Sequence, residues 1–237
     1  MNNSSDFQII APFYNDFDNF KLFVEKVETL NLHEKTFLLV DNGSTDNQMI
    51  EYFQKNNTLV SCELIRIEVN QGFGGGVAYA SDFVSKDYVG WMPGNMKVNP
   101  AHVYELFIRQ NLTSQNTLIK GKRVNRPKLD SIKTFIFGIV ASIYFRTNLF
   151  DAGGTPNLVG KSFFDHKQLM PEDVSFDVYA YYYFRKLGHV VRPKISYTKR
   201  VHGKSKWQNG FSSELKMIIN ILGRKKTWDK IIKKNYK

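Results

Sequence analysis

The spacing of apolar and polar positions follows two different patterns along the first hundred residues. Short and nearly continuous apolar runs, such as those that begin at Phe7 and Phe37, are typical of strands buried on both faces of a sheet. Between these runs the apolar residues fall three or four positions apart, as Phe20, Phe23 and Val27 do, and this spacing indicates helices. Strands that alternate with helices of this length predict an α/β fold with a mostly parallel sheet.

The second half of the chain has a less regular pattern. A strand-like segment over 116–124 precedes an apolar run over 134–145, which is too short to span a bilayer. A helical pattern follows over 175–188, and a second strand-like segment runs over 189–201. In parallel sheets ligands bind beyond the carboxyl ends of the strands, so we expect the loops that follow the first strands to form the functional site.

Positive charge is concentrated at one end of the chain. The formal net charge is +11, and residues 192–237 hold 14 lysines and arginines but only two acids. Such a local excess of cations attracts the phosphates of an anionic membrane surface, of a lipid-phosphate substrate or of a nucleic acid. Because no aromatic–basic RNA signature accompanies the charge, we expect no nucleic-acid partner.

The tail over 212–237 carries apolar residues at helical spacing. They are Leu215, Ile218, Ile219, Leu222, Trp228, Ile231 and Ile232. Two interpretations stay open: an amphipathic helix lying on a membrane surface, or a helix packed on the domain with its basic face in solvent. The N-terminal residues lack the pattern of a secretory signal, and the single cysteine, Cys62, fits a reducing compartment, so we expect a cytoplasmic protein.

Two polar turns follow predicted strands. In LLVDNGSTD, the carboxylate of Asp41 would accept hydrogen bonds from a base or a ribose, while Gly43 permits a tight turn; the same residues also suit a plain helix N-cap. In NQGFGGGVAYA, Asn70 and the glycines from Gly72 to Gly76 precede a helix start, where backbone N–H groups favour phosphate. The glycine spacing does not match the dinucleotide-binding fingerprint.

The order of these segments resembles that of the family 2 glycosyltransferases with the GT-A fold. APFYND, VDNGSTD, NQGFGGGVAYA and YVGWMPGNMKVNP follow one another as in that family. Further along, IKGKRV, DAGGTPNLVGKSFF and the segment that ends in RVHGKSKW resemble the dolichyl-phosphate mannosyltransferase-like branch, with Asn157 where a lysine is usual. The resemblance covers residues 7–207.

The resemblance implies a GT-A (Rossmann-like), mostly parallel sheet flanked by helices over 1–211, followed by the basic amphipathic tail over 212–237. Residues 1–100 would form the nucleotide-binding half and 101–211 the acceptor half. The implied activity is inverting transfer of a sugar from a nucleotide-sugar donor to a lipid-phosphate, or to a lipid-linked or cell-surface glycan, at the inner face of the membrane. A catalytically inactive scaffold or binding subunit is the alternative.

The resemblance also assigns roles to individual positions. The residues implied to bind the nucleotide-sugar are Pro12, Tyr14, Asp16, Asp41, Asn42, Gly43, Asn70, Gly72 and Gly76. The residues implied to hold phosphates or the acceptor are Arg123, Arg200, Ser205 and Lys206, with Arg200 as a catalytic cation. Asp173 is our candidate general base, with Asp177 one turn later, although both would also stabilise a helix N-terminus without a catalytic role.

One segment departs from the family pattern. Where the family has Asp-x-Asp, this chain has Pro93, which offers no ligand, and Asn95, which offers only a neutral carbonyl oxygen to a metal or to the donor. Three outcomes stay open: Mg²⁺ or Mn²⁺ held weakly, chiefly by the substrate; no metal, with protein cations such as Arg123 neutralising the diphosphate; or a dead site. The other motifs are intact, so we expect an active enzyme with weakened or absent metal dependence.

Overall fold

The computed structural model describes residues 6–56, 59–198, 201–202 and 211–235. The strands are β1 (Phe7–Phe13), β2 (Phe37–Asn42), β3 (Cys62–Ile67), β4 (Tyr88–Trp91), β5 (Thr117–Lys120), β6 (Lys122–Val124), β7 (Asn157–Gly160), β8 (His189–Val191) and β9 (Lys194–Ser196). The α-helices are α1 (Phe17–Glu28), α2 (Gln48–Lys55), α3 (Gly72–Ala80), α4 (Pro100–Ile108), α5 (Lys128–Phe145), α6 (Phe176–Leu187), α7 (Phe211–Gly223) and α8 (Lys225–Asn235). Within these ranges no helix has the length and hydropathy needed to cross a bilayer.

Seven strands form the central sheet, in the order β3-β2-β1-β4-β7-β5-β8. Strands β1 to β4 run in parallel, β7 is antiparallel to both β4 and β5, and β5 is parallel to β8. The carboxyl ends of β1, β2, β4 and β5 therefore meet at one edge of the sheet, together with the start of β7. Strands β6 and β9 form a separate parallel pair that follows directly from this edge.

Both faces of the sheet are covered, as continuous apolar strands require. Neighbouring residues of β1 point to opposite faces: Ile9 packs in the cluster that includes Phe20 of α1, whereas Ile10 packs in the cluster that includes Val77 of α3 and Trp228 of α8. All of these side chains are almost completely buried. The sequence prediction of a mostly parallel α/β sheet flanked by helices is confirmed.

Three predicted segments are each divided in the structure. The strand-like segment over 116–124 breaks at Gly121 into β5 and β6, and the one over 189–201 breaks before Pro193 into β8 and β9. The tail breaks after Gly223 into α7 and α8. Helix α4 and strand β7 were not predicted; β7 is only four residues long and is the one antiparallel strand of the described sheet.

Helix α8 packs on the domain through its apolar side. Trp228, Ile231 and Ile232 are buried, and the ring of Trp228 lies 5.5 Å from those of Phe145 and Tyr179. The exposed side of the helix carries lysines, which are Lys226, Lys230, Lys233 and Lys234. Of the two interpretations of the tail, the packed helix with a solvated basic face therefore describes α8.

Candidate functional site

The loops singled out in the sequence meet at the carboxyl edge of the sheet. Pro12 lies in β1, directly before the loop over 14–16, and Asp41 and Asn42 end β2. Phe13 lies opposite Asp41 in the parallel register, so the loops after β1 and β2 begin side by side. The backbone N–H of Asn15 donates to Ser44 Oγ at 3.0 Å, and Asn19 Nδ2 donates to Asp16 Oδ1 at 2.7 Å.

The buried carboxylate of Asp41 accepts hydrogen bonds that stabilise the turn after β2. Arg66 of β3 donates to Asp41 through Nη1 and to the carbonyl of Ser44 through Nη2 at 3.0 Å. The N–H of Ser44 donates to Asp41 Oδ1 at 3.1 Å. Asp41 is completely buried, so these contacts explain its position, and its contact with a base stays a prediction.

Gly43 and Gly72 are required by their backbone conformation and by close packing. Both have left-handed φ values, +75° and +72°. A Cβ on Gly43 would lie 2.3 Å from the nitrogen of Asn70, and one on Gly72 would lie 2.6 Å from the carbonyl oxygen of Glu172. The N–H of Gly72 donates to Asn70 Oδ1 at 2.8 Å, and that of Gly75 donates to the Glu172 carbonyl at 2.9 Å. The β2 turn, the glycine loop and the segment before α6 are thus in direct contact.

Asn42 joins the end of β2 to the glycine loop. Its Nδ2 donates to the carbonyl of Gly72 at 2.8 Å, and its Oδ1 accepts from the N–H of Gln71 at 3.1 Å. A Cβ on Gly76 would lie 2.9 Å from Asn42 Nδ2. Close packing therefore explains why glycine is required in this loop. Phosphate binding by the loop stays a prediction.

Asp173 lies beside the glycine loop and is partly exposed. Its carboxylate accepts from the N–H of Ser175 at 2.9 Å and from Arg224 Nη2 at 2.9 Å. Arg224 comes from the turn between α7 and α8, so the basic tail supplies a cation to this carboxylate. The side chain of Asp173 is 39% exposed, which leaves it accessible to a substrate; its role as a base stays a prediction.

Asp177, in contrast, is enclosed with a buried lysine. Its Oδ1 accepts from Trp91 Nε1 at 2.8 Å and from Asn157 Nδ2 at 3.0 Å. Lys120 at the end of β5 donates to the carbonyl of Gly154 and to Asn157 Oδ1 at 3.3 Å, and it is completely buried. Burial raises the pKa of Asp177 and lowers the pKa of Lys120, while the attraction between the two opposes both shifts. We call these groups the buried lysine network.

Three arginines surround one carboxylate just beyond β5. Arg123 of β6 donates to Asp151 Oδ1 through Nε at 2.7 Å, Arg192 donates to Asp151 Oδ2 at 2.9 Å, and Arg126 Nη1 lies 3.8 Å from Oδ1. All four side chains are less than a fifth exposed. We call this group the arginine cluster; it has a formal charge of +2, because three guanidinium groups share one carboxylate.

The arginine cluster has unused capacity for an anion. Burial alone raises the pKa of Asp151, but the net shift is downward because Arg123, Lys120 and Arg192 favour the charged carboxylate. Arg192 Nε is buried and has no hydrogen-bond partner among the described residues. A largely buried excess of arginine N–H donors is the arrangement that binds phosphate or carboxylate.

The loop at the altered Asp-x-Asp position is closely packed. A Cβ on Gly94 would lie 2.2 Å from the ring of Phe13, and Asn95 Oδ1 accepts from the N–H of Lys97 at 3.2 Å. Nowhere among the described residues do three His, Cys, Asp or Glu side chains come together as candidate metal ligands. At this position Pro93 offers no ligand, and Asn95 offers only a neutral amide oxygen to Mg²⁺ or Mn²⁺.

Arg200, Ser205 and Lys206 lie outside the described residues, but the chain on either side of Arg200 approaches the carboxyl edge. The N–H of Thr198 donates to the carbonyl of Lys97 at 2.8 Å. The carbonyl of His202 accepts from Asn19 Nδ2 at 3.1 Å, and the same amide donates to Asp16. Described residues in and next to the predicted phosphate-binding segment thus contact the first turn of α1 and the loop after β4.

Comparisons with known proteins give a family match and a fold match. Residues 8–113 match the sequence model of Glycosyl transferase family 2, and no curated protein sequence matches the chain. A crystal structure of glucosyl-3-phosphoglycerate synthase from Mycobacterium tuberculosis, in complex with Mn²⁺, uridine-diphosphate and glucosyl-3-phosphoglycerate, is similar with a TM-score of 0.64 at 13% identity. The alignment covers 92% of this chain and 79% of that one.

Two further solved structures give the same result. The complex of that synthase with Mn²⁺, uridine-diphosphate-glucose and phosphoglyceric acid has a TM-score of 0.64 at 12% identity, with 92% and 79% coverage. A structure described as a mycobacterial protein has a TM-score of 0.66 at 14% identity, with 92% and 74% coverage. At these identities the similarity shows the fold. The family match itself covers residues 8–113, which is less than half of the chain.

Sequence reasoning missed several residues of the site. They are Arg66, Lys120, Arg126, Asp151 and Arg192. A signal was present for two of them, since Arg66 interrupts the apolar strand CELIRI and Lys120 ends the apolar strand TLIK. A charged residue in a buried strand needs a partner, and that requirement points to a carboxylate elsewhere in the chain.

Proposed function

We propose that the chain is an inverting family 2 glycosyltransferase that moves a sugar from a nucleotide-sugar donor to a lipid-phosphate, or to a lipid-linked or cell-surface glycan. The observation that carries the proposal is the arginine cluster at the carboxyl edge of a GT-A-like sheet whose first half matches the family 2 model. Membership of the dolichyl-phosphate mannosyltransferase-like branch is part of the proposal and rests on the sequence motifs.

The donor would bind across the loops after β1 and β2. We propose that Pro12, Tyr14 and Asp16 contact the base and ribose, and that Asp41 and its neighbours shape the turn against which the nucleotide lies. Support comes from the direct contact of these two loops through Asn15 and Ser44. The mycobacterial synthase was crystallised with uridine-diphosphate and Mn²⁺, which is consistent with a nucleotide-sugar donor for this fold.

Protein cations would neutralise much of the departing diphosphate. Asn95 and Pro93 offer no carboxylate, and a metal would have to be held chiefly by the donor's own phosphates. We propose that Arg123 and Arg200, with Ser205 and Lys206, hold the diphosphate or an acceptor phosphate, so that dependence on Mg²⁺ or Mn²⁺ is weak or absent. Positively charged hydrogen-bond donors fixed in place before the reaction stabilise developing negative charge effectively.

The chemistry is a single displacement. An acceptor oxygen forms a bond to the anomeric carbon while the bond from that carbon to the diphosphate oxygen breaks, and the electron pair leaves with the nucleoside diphosphate. A phosphate acceptor is already anionic and needs no base. A hydroxyl acceptor would pass its proton to a carboxylate, for which accessible Asp173 is the candidate. Enclosed Asp177 would instead position Trp91 and Asn157.

A lipid-phosphate acceptor suits the arginine cluster and its surroundings. Arg192 Nε is buried without a hydrogen-bond partner among the described residues, so it can donate to an anionic head group. Ring contact between Phe135 of α5 and Phe150 places apolar surface directly beside the cluster, because Arg192 donates to the carbonyl of Phe150 at 2.9 Å. We propose that the enzyme works as a peripheral protein at the inner face of the membrane.

The test is a transfer assay with a panel of labelled nucleotide-sugars. Each donor is incubated with wild-type protein and either a polyprenyl phosphate in detergent or a glycan acceptor, with EDTA or with Mn²⁺. We expect transfer from one donor in both metal conditions, and loss of at least about tenfold in kcat/KM for Arg123→Met. Absence of both transfer and donor hydrolysis, with nucleotide binding retained, would instead favour the inactive scaffold.

A further inference from the structure

Helix α5 has an apolar face that is exposed in the part of the chain that the structure describes. Eight large apolar side chains on it are each more than a third exposed, and they are Leu129, Ile132, Phe135, Ile136, Ile139, Val140, Ile143 and Tyr144. They recur every three or four residues and cover about half of the helix circumference. The opposite side is anchored in the core, where Ala141 and Phe145 are completely buried. An exposed apolar patch of this size marks an interaction surface.

The N-terminal end of this face adjoins the arginine cluster. Arg126 Nη1 donates to Thr134 Oγ1 at 3.0 Å on the first half of α5. Phe150 lies 5.5 Å from Phe135, ring centroid to ring centroid, and its carbonyl accepts from Arg192. Cationic groups therefore stand beside the apolar face at this end.

A second group of cations lies at the C-terminal end of α5, next to its buried side. A cavity of about 270 Å³ opens beside buried Phe145 at the last turn of α5. Its charged lining residues are Arg146, Lys186, Lys225, Asp229 and Lys233. Four cations face one carboxylate there, and that carboxylate is already engaged by Lys225 and by Tyr182.

Helix α7 also carries exposed apolar side chains, and α8 is rich in lysine. Leu215 and Ile219 of α7, which packs against α5, are 45% and 59% exposed. Residues 211–235 hold seven lysines and arginines and two acids. Cations therefore lie at both ends of α5 and on the neighbouring helices α7 and α8.

We propose that the exposed face of α5, with Leu215 and Ile219, lies flat in the surface of an anionic bilayer. Its apolar side chains would enter the acyl boundary while the flanking cations contact lipid phosphates. A second copy of this chain fits less well, because pairing through α5 would bring the cations of two copies together, whereas an anionic bilayer neutralises them. Helix α8 contributes only lysines, since its apolar side is buried in the domain.

This docking stands independently of the proposed function, but its consequence for the reaction rests on that function. With α5 in the membrane surface, the arginine cluster lies close to the level of the lipid head groups, because Arg126 is bonded to α5 itself. An acceptor phosphate would then reach the cluster without its lipid tail leaving the bilayer.

Vesicle sedimentation tests the docking directly. Wild-type protein is mixed with vesicles of neutral lipid, or of neutral lipid with a third of anionic lipid, and the bound fraction is measured at low and high salt. We expect binding to the anionic vesicles that weakens with salt, and at least about a tenfold loss of partitioning for Ile136→Ser with Ile143→Ser. The matched control is Leu169→Ser with Val191→Ser, two exposed apolar residues elsewhere, which should bind as wild type.

Labelling identifies which helix enters the membrane. Cys62 is buried and burial raises the pKa of its thiol, so an environment-sensitive dye will react selectively with a new surface cysteine. We expect a blue shift on vesicle binding for dye on Ile139→Cys and none for dye on Lys230→Cys of α8. The proposal is wrong if the wild-type protein does not bind anionic vesicles, or if the Ile136/Ile143 variant binds them as well as wild type does.

Two outcomes separate this inference from the proposed function. A wild-type dimer that the Ile136/Ile143 variant converts to monomer, without any vesicle binding, would assign the face to a second copy and overturn the membrane proposal. Vesicle binding without sugar transfer to any acceptor would leave the docking in place and remove the proposed activity.

Discussion

One carboxylate oxygen of Asp151 accepts two N–H groups of Arg123, from Nε at 2.7 Å and from Nη2. The other oxygen of the same carboxylate accepts from Arg192 at 2.9 Å. Asp151 therefore fixes the direction of two guanidinium groups before any ligand arrives. Because little side-chain entropy remains to be lost, an anion that binds here gains more of its interaction energy as affinity.

Replacement of Asp151 by Asn removes the carboxylate that these arginines share. We expect Asp151→Asn to lower the free energy of unfolding at neutral pH by about 2–4 kcal/mol, because three guanidinium groups lose their counter-charge in a largely enclosed site. The lowered pKa of Asp151 means that its stabilising effect is present above the ordinary value of 3.8 and is lost as pH falls through the folded-state pKa.

Urea unfolding of wild type and variant at several pH values checks this expectation. The difference between the two proteins should start to shrink as pH falls below 3.8 and should close once pH is below the lowered folded-state pKa of Asp151, because the wild-type carboxylate is then protonated as well. Asp165→Asn, at an exposed position, serves as the control and should differ little from wild type at any pH. A difference that is constant from neutral to acid pH would contradict the assigned role.

Arg192 should matter more for the acceptor than for the donor. Its Nε is buried without a partner among the described residues, so an anionic acceptor would complete its hydrogen bonding. We expect Arg192→Met to raise the KM for a phosphate-bearing acceptor by about tenfold or more, with a smaller effect on the KM for the donor.

Arg185→Met is the matched control for this measurement. Arg185 and Arg192 both lie over the ring of Tyr181, at 5.2 and 5.3 Å, but Arg185 makes no described contact with Asp151. The control should leave the acceptor KM within about twofold of wild type. Equal effects of the two substitutions would remove the special role of Arg192.

Restoring the two carboxylates at the altered Asp-x-Asp position should make nucleotide binding respond to metal. Pro93→Asp combined with Asn95→Asp restores two carboxylates, the ligands that Mg²⁺ and Mn²⁺ prefer. We expect the affinity of the variant for a nucleoside diphosphate to rise by about tenfold or more on addition of Mn²⁺, and that of wild type to change little. An unchanged metal response in the variant would mean that the loop is not a metal-binding position in this fold.

The framework of residues 1–100 could be predicted from the sequence because its signals are local. The apolar runs at Phe7 and Phe37 identify β1 and β2, and the helical spacing of Phe20 and Val27 identifies α1. The α4 start was also readable in principle, since Asn99 caps it by accepting from the N–H of Ala101 and Pro100 follows at its first position.

The arginine cluster, strand β7 and the surroundings of Asp177 could not be predicted, because their contacts join residues distant in the chain. Asp151 binds Arg123 and Arg192, which are 28 and 41 positions away, and no local sequence pattern predicts either ion pair. Strand β7 is short and antiparallel, so a prediction based on βαβ units does not include it. Asp177 fits a helix start in the sequence, and only its contacts with Trp91 and Asn157 reveal that it is enclosed.

Gly72 tests whether the glycine loop is a packing element. The left-handed φ and the 2.6 Å approach to the Glu172 carbonyl leave no room for a methyl group. We expect Gly72→Ala to lower the free energy of unfolding by about 2–4 kcal/mol or to prevent folding. Gly223→Ala, at a position where a Cβ meets nothing within 4 Å, should change it by less than about 0.5 kcal/mol, and thermal unfolding compares the two.

Calorimetric titration with nucleoside diphosphates in EDTA tests the central claim most directly. We propose that the carboxyl edge binds the diphosphate of a nucleotide-sugar largely through protein cations. We therefore expect one of UDP, GDP, CDP or ADP to bind in EDTA with a dissociation constant within about tenfold of that measured in Mn²⁺. Binding that appears only with Mn²⁺, or no binding of any of the four in either condition, would contradict it.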